Sequence, residues 1–148
     1  MREILFRGKN SNGNWIYGNL NFYPDINRTF IRKNAKEILP SFQSSLEEEV
    51  NKNTIGQFTG LTDKNGKKIF EGDILESPIG RKAVVSFGTY KPWSTKDSDD
   101  FECWKLTLLA KNEGETKLEC GLGKHCMEYM RLIGNIHDNP ELLKGGAD

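Results

Sequence analysis

No apolar run in the sequence approaches the ~20 residues that cross a bilayer as a helix, which excludes a helical membrane span. Nor is there an excess of either charge. Lys and Arg total 21 and Asp and Glu total 21, so the net charge is zero, and neither a general nucleic-acid coat nor a binder of anionic membrane surfaces is indicated. Cysteine is scarce. Three residues (Cys103, Cys120 and Cys126) cannot all pair within one chain, which argues against a disulfide scaffold. The opening residues, MREILFR, lack the apolar stretch and small-residue cleavage site of a secretory signal. A reducing cytoplasm with free thiols is therefore the expected setting. Internal repeats and low-complexity tracts are also missing.

What is present is an ordinary globular composition, 36% hydrophobic and 28% charged, in a length of 148 residues that suits one domain. Fifteen glycines against five prolines, with 10% aromatics, favour a turn-rich β protein. Residues 3–7, 14–23 and 28–32 read as a three-stranded meander over residues 1–32, punctuated by a Lys9–Gly13 turn cluster and by Pro24-Asp25-Ile26-Asn27. In the second strand Ile16, Leu20 and Phe22 alternate with Trp15 and Tyr17. A variable segment, 33–53, follows. Pro40 argues against one continuous helix through it, and Ser44 with Glu47 would suit a helical turn over 45–51. The preferred alternative is a loop returning as an edge strand at Glu48-Glu49-Val50.

From residue 54 the pattern is strand, turn, strand. Asn65-Gly66 predicts a tight type I′ turn, and Glu71-Gly72-Asp73 a second turn into Ile74. Strands are expected at 74–76, 81–87, 102–110 and 130–136, with a long exposed loop over 88–100 and a flexible glycine-rich link over 120–126. Asn139 should cap a short helix over 139–144, with Pro140 at its first position and Leu142 and Leu143 facing inward. The expected class is mainly β: an SH3-like small barrel from 54–87 plus 130–136, with an added N-terminal meander and a short C-terminal helix.

Three patches carry a family resemblance. They are residues 2–8 with Gly13-Asn14-Trp15-Ile16-Tyr17-Gly18; the passage TIGQFTGLTDKNGKKIFEGDIL at 54–75; and IGNIHDNPELL at 133–143. In this order they resemble the YopX family of phage and prophage proteins. The resemblance implies a β-rich SH3-like fold, a phage or prophage origin and self-association into a homo-oligomer. It supplies no catalytic residues. Segments 33–50 and 88–126 depart from any recognised pattern.

Asp63, Glu71 and Asp73 cluster near one turn region, and carboxylates held close can share a cation or act as acid and base. A metal-dependent hydrolase would need them to meet His137 or Asp138; turn and strand-entry roles account for them more simply. Cys103, Cys120, His125 and Cys126 make a weak Cys3His set, since a C-x5-C spacing is wider than zinc sites use. No cofactor is expected. Residues 1–36 hold seven basic side chains against Glu3 and Asp25. Within them Arg7, Arg28, Arg32 and Tyr23 could contact a phosphate backbone and stack on bases. Tyr90 and Trp93, on the 88–100 loop, are the candidates for anchoring a protein partner from host or phage. A non-enzymatic protein-binding module is the leading expectation, and nucleic-acid binding is the alternative.

Overall fold

A computed structural model of the chain describes residues 3–33, 46–90, 101–110, 115 and 118–144. It divides into two compact units, residues 1–60 and 61–148. Among the described residues no helix is long and apolar enough to cross a membrane.

The first unit holds strands β1 (Phe6–Lys9), β2 (Trp15–Tyr23), β3 (Arg28–Arg32), β4 (Glu47–Val50) and β5 (Gly56–Thr62), the last of which runs on past Gly60. Their order here is β4-β3-β2-β1-β5, all antiparallel. The meander read from the sequence is therefore present. Its first turn closes because the Asn10 carboxamide oxygen accepts the N–H groups of Asn12 and Asn14. Its second turn uses Asn27 at a φ of 51°, a left-handed conformation that asparagine tolerates better than most residues. β2 serves two partners in succession: residues 15–18 pair with β1 and 19–23 with β3. The strand changes neighbours at Gly18, where any Cβ would meet the Arg32 carbonyl oxygen.

Ile16, Ile31 and Val50 form the buried core of this unit, with Leu20 and Ile55 packed against it. Phe22 was expected to share their face inward, but it is 55% exposed. The core is small, and β2 has already run past it at that point. The edge strand expected at 48–50 is β4, paired to β3, which displaces the helical alternative over 45–51. Residues 34–45 lie outside the described residues.

The second unit continues with β6 (Lys68–Phe70), β7 (Asp73–Glu76), β8 (Lys82–Tyr90), β9 (Phe101–Leu108), β10 (Leu118–Gly121), α1 (Lys124–Met127), β11 (Arg131–Asn135) and a 3-10 turn over Pro140–Leu143. Five of these strands form an antiparallel sheet in the order β10-β9-β8-β7-β11. β10 and β11 are its edges, so the sheet is open, and the barrel expected from 54–87 plus 130–136 does not close among the described residues. Register places Ala83 opposite Leu108, Val85 opposite Leu106 and Phe87 opposite Trp104 on one face. The core comprises Ile69, Leu75, Ala83, Val85, Leu106, Met127 and Met130.

Three local expectations change. The 120–126 link is not a free connection: Cys120 and Gly121 end β10, α1 follows, and Cys120, Leu122 and Cys126 all pack against the core. The loop expected from residue 88 is strand as far as Tyr90, because Gly88, Thr89 and Tyr90 pair with Cys103, Glu102 and Phe101. At the C-terminal turn Pro140 takes its expected place, but the Asn139 side chain does not cap it. The Asn139 oxygen accepts the Asn135 N–H instead, and Leu143 is exposed.

The turn at Asn65-Gly66 is also of another type. Type I′ needs positive φ at both central residues, yet only Gly66 has it, at 82°. The Asp63 N–H donates to the Lys67 carbonyl and the Gly66 N–H to the Asp63 carbonyl, which makes a three-residue loop with glycine in the left-handed position. Open space surrounds Gly66, so only its backbone conformation restrains it. Gly66→Val is expected to cost about 1 kcal/mol or somewhat more, since a β-branched residue resists positive φ. A urea midpoint equal to the parent's would contradict this geometry.

Candidate functional site

Among the described residues, Arg7, Lys9, Arg28 and Lys33 of the basic stretch are engaged by internal contacts. Arg7 is buried at 5% exposure, with its guanidinium 4.5 Å from the centre of the Trp15 ring. Lys9 shares that ring at 5.4 Å. Arg28 is engaged by Glu49, to which its Nε donates at 2.7 Å and its Nη2 donates as well. Its guanidinium also lies 5.3 Å from the centre of the Phe30 ring. Lys33 pairs with Glu48 at 2.9 Å, and the Tyr23 hydroxyl donates to Glu47 at 2.9 Å. Arg32 is exposed and sits opposite Glu47 in the β3–β4 register.

The protonation equilibria follow these contacts. Hydrogen bonds from Asn10 and then Lys33 hold the Glu48 carboxyl below its usual range, and Arg28 does the same to Glu49. The bond to Glu47 pushes the Tyr23 phenol up. Basic and acidic runs separated in sequence are thus cross-strand neighbours. Sequence reasoning missed this because the β3–β4 register that joins them pairs residues 15 to 21 positions apart, which no local pattern relates.

Asp63 is buried and structural. Its Oδ1 accepts the N–H groups of Asn65 and Lys67, both at 2.9 Å, and its Oδ2 accepts that of Leu132 at 2.9 Å. Burial alone would raise its pKa. The three amides and the neighbouring Lys67 charge outweigh that and hold the carboxyl below its ordinary value. Asp73, 1% exposed, accepts the Phe70 N–H at 2.8 Å. Glu71 has its pKa raised by burial. Asp138 accepts from the Asn135 carboxamide at 3.0 Å. Among the described residues no three His, Cys, Asp or Glu side chains are placed to hold a metal ion.

The cysteine set divides across the sheet. Cys120 lies opposite Leu106 and packs on the core with Cys126, whereas Cys103 falls on the alternate face of β9. Burial, and after it the nearby Cys126, pushes the Cys120 thiol up, opposite to what a nucleophile needs. His125 is exposed on α1.

Of the two aromatics expected on the long loop, Trp93 lies outside the described residues. Tyr90 is half-buried at the end of β8, with its ring near Gly121. The aromatic display lies instead on the core face of the β8–β9 ribbon. Phe87, 53% exposed, meets Trp104 edge to face with centroids 5.1 Å apart. The alternation Ala83-Val85-Phe87 was visible in the sequence, but not the point at which the core beneath it ends.

These features define a mainly β protein of two antiparallel sheets whose polar clusters are occupied by internal contacts. The chain belongs to the YopX family: the family model described as YopX protein matches residues 5–144. Among solved structures it is similar to protein EF1440 from Enterococcus faecalis, with 24% identity over 97% of this chain and 100% of that one, at a TM-score of 0.42. No curated protein matches the chain.

Proposed function

We propose that the protein is a non-enzymatic accessory module of a phage or prophage that binds a protein of host or phage, acting in the cytoplasm as a homo-oligomer. The observation that carries this reading is the half-exposed Phe87, paired with Trp104 on strands whose register is fixed. An aromatic displayed on ordered backbone loses little conformational freedom on binding, which is why such residues dominate the energetics of protein interfaces. Leu118, 52% exposed on β10, adds apolar surface in the same unit. The nucleic-acid alternative loses ground because Arg7 is buried and Arg28 is held by Glu49.

Affinity capture of the tagged protein from bacterial lysate, with and without nuclease, tests the reading. A defined protein is expected to survive nuclease and moderate salt, and to be lost with Phe87→Ser. That substitution should change stability by less than about 1 kcal/mol, because the ring is half in solvent already. Recovery of nucleic acid that vanishes with nuclease, and falls steeply with salt, would instead support phosphate contacts. Retention of the protein partner by Phe87→Ser would remove the aromatic pair from the interface.

A further inference from the structure

We propose that the second unit carries a binding site for a single oxyanion, a carboxylate or phosphate on the scale of one side chain. The site is a half-open cavity of about 230 Å³ lined by Lys64, Glu76, Ser77, Pro78, Tyr129 and Arg131. That volume is below the range of sites for drug-sized ligands and suits one polar group.

Three backbone features frame the cavity. The Asp63–Lys67 turn carries Lys64, whose N–H donates to the Met130 carbonyl at 3.2 Å. The Ser77–Arg81 turn is closed by Ser77 N–H to the Arg81 carbonyl at 2.8 Å, and by the Arg81 N–H to the Ser77 hydroxyl at 3.1 Å. Arg131 and Glu76 are direct partners in the β11–β7 pairing. The backbone around the cavity is therefore set before any ligand arrives, which lowers the cost of ordering it on binding.

Charge then selects the ligand. Arg131 donates to Glu76 from both Nε and Nη2, so the one carboxylate of the site is neutralised. Lys64, exposed on its turn, adds a second cation against that single carboxylate and leaves the lining with one net positive charge. The Ser77 oxygen already accepts a hydrogen bond, which leaves its O–H to donate. An oxyanion would meet the Lys64 ammonium, the remaining Arg131 donors and this hydroxyl; a cation would meet an excess of positive charge.

The inference deepens the protein-binding reading and rests on it only for what bears the anion. The test needs no partner, so its failure and that of the capture experiment are distinguishable. Isotope-labelled protein would be titrated with inorganic phosphate and, separately, with glutarate at fixed ionic strength, following amide resonances. Saturable shifts are expected at Lys64, Ser77 and Arg131. Lys64→Gln should weaken binding roughly three-fold, and Glu76→Gln, by removing the competing carboxylate, should tighten it by a similar factor. A gain of affinity cannot arise from a damaged fold. Preference for glutarate would identify an acidic side chain as the source, and preference for phosphate a phosphoryl group. Shifts that never saturate with either anion, or that neither substitution alters, would overturn the proposal.

Discussion

Gly18→Ala is expected to destabilise the protein by about 3 kcal/mol or more, enough to leave a marginal domain largely unfolded. A Cβ at this position would lie 1.9 Å from the Arg32 carbonyl oxygen and 3.1 Å from Cγ2 of Ile31. The first of these neighbours is backbone and cannot rotate away. Relief requires β2 and β3 to separate by more than an ångström where Asn19 pairs with Arg32. That movement would also disturb Ile31, the fully buried residue at the centre of the first unit. A close-packed core does not absorb such a shift without losing contacts. Gly80→Ala is the matched control: Gly80 has a positive φ of 77° but open space around it, so its cost should be only about 1 kcal/mol. Urea unfolding of both variants decides the matter. Equal midpoints would mean that β2 does not approach β3 this closely at Gly18.

This contrast shows where the sequence is legible. Strand positions could be read because period-two alternation is local: Ile16 and Leu20, Ala83 and Val85, and Leu106 and Leu108 each mark a buried face within a few residues. The meander and the strand entering at Asp73 follow from the same signal. Gly18 could not be distinguished from Gly13 or Gly80, because what makes it indispensable is the carbonyl of Arg32, brought beside it only by pairing. The charge pattern was misleading for a related reason. A basic stretch before residue 36 and an acidic triplet at 47–49 read as separate surfaces until the β3–β4 register places Arg28 beside Glu49 and Lys33 beside Glu48. Asn-Gly identified a hairpin correctly. The Asp63 side chain, by bonding the amides of Asn65 and Lys67, favours a three-residue loop over the two-residue one. At the candidate interface both partners of the Phe87–Trp104 pair lay in apolar runs that read as core; the end of the core is a tertiary property.

Asp63 should be the polar residue on which the second unit depends most. It bonds two amides of its own turn and that of Leu132, 69 residues further along, which ties the hairpin to β11. Asp63→Ala is expected to cost about 3 kcal/mol, because removing the acceptor leaves partly buried N–H groups without a partner. Asp63→Asn should cost nearly as much, about 2 kcal/mol. Its oxygen can replace one carboxylate oxygen, but its NH2 is a donor, so one side of the network would face donor against donor. The pH dependence separates charge from packing. The folded carboxyl titrates below its ordinary value of 3.8, so its charged form is stabilised by folding. That contribution is complete above the unfolded pKa and is lost as pH falls toward the folded one. The stability gap between the parent and Asp63→Asn should therefore stay constant near neutrality and narrow below about pH 4. Denaturant unfolding of both proteins across that range measures it. A gap that persisted unchanged to pH 3 would show that the ionised carboxylate does not hold the turn against β11. Narrowing would assign that share of the acid sensitivity to this side chain, since protonation turns one of the two oxygens that join the turn to Leu132 from acceptor into donor.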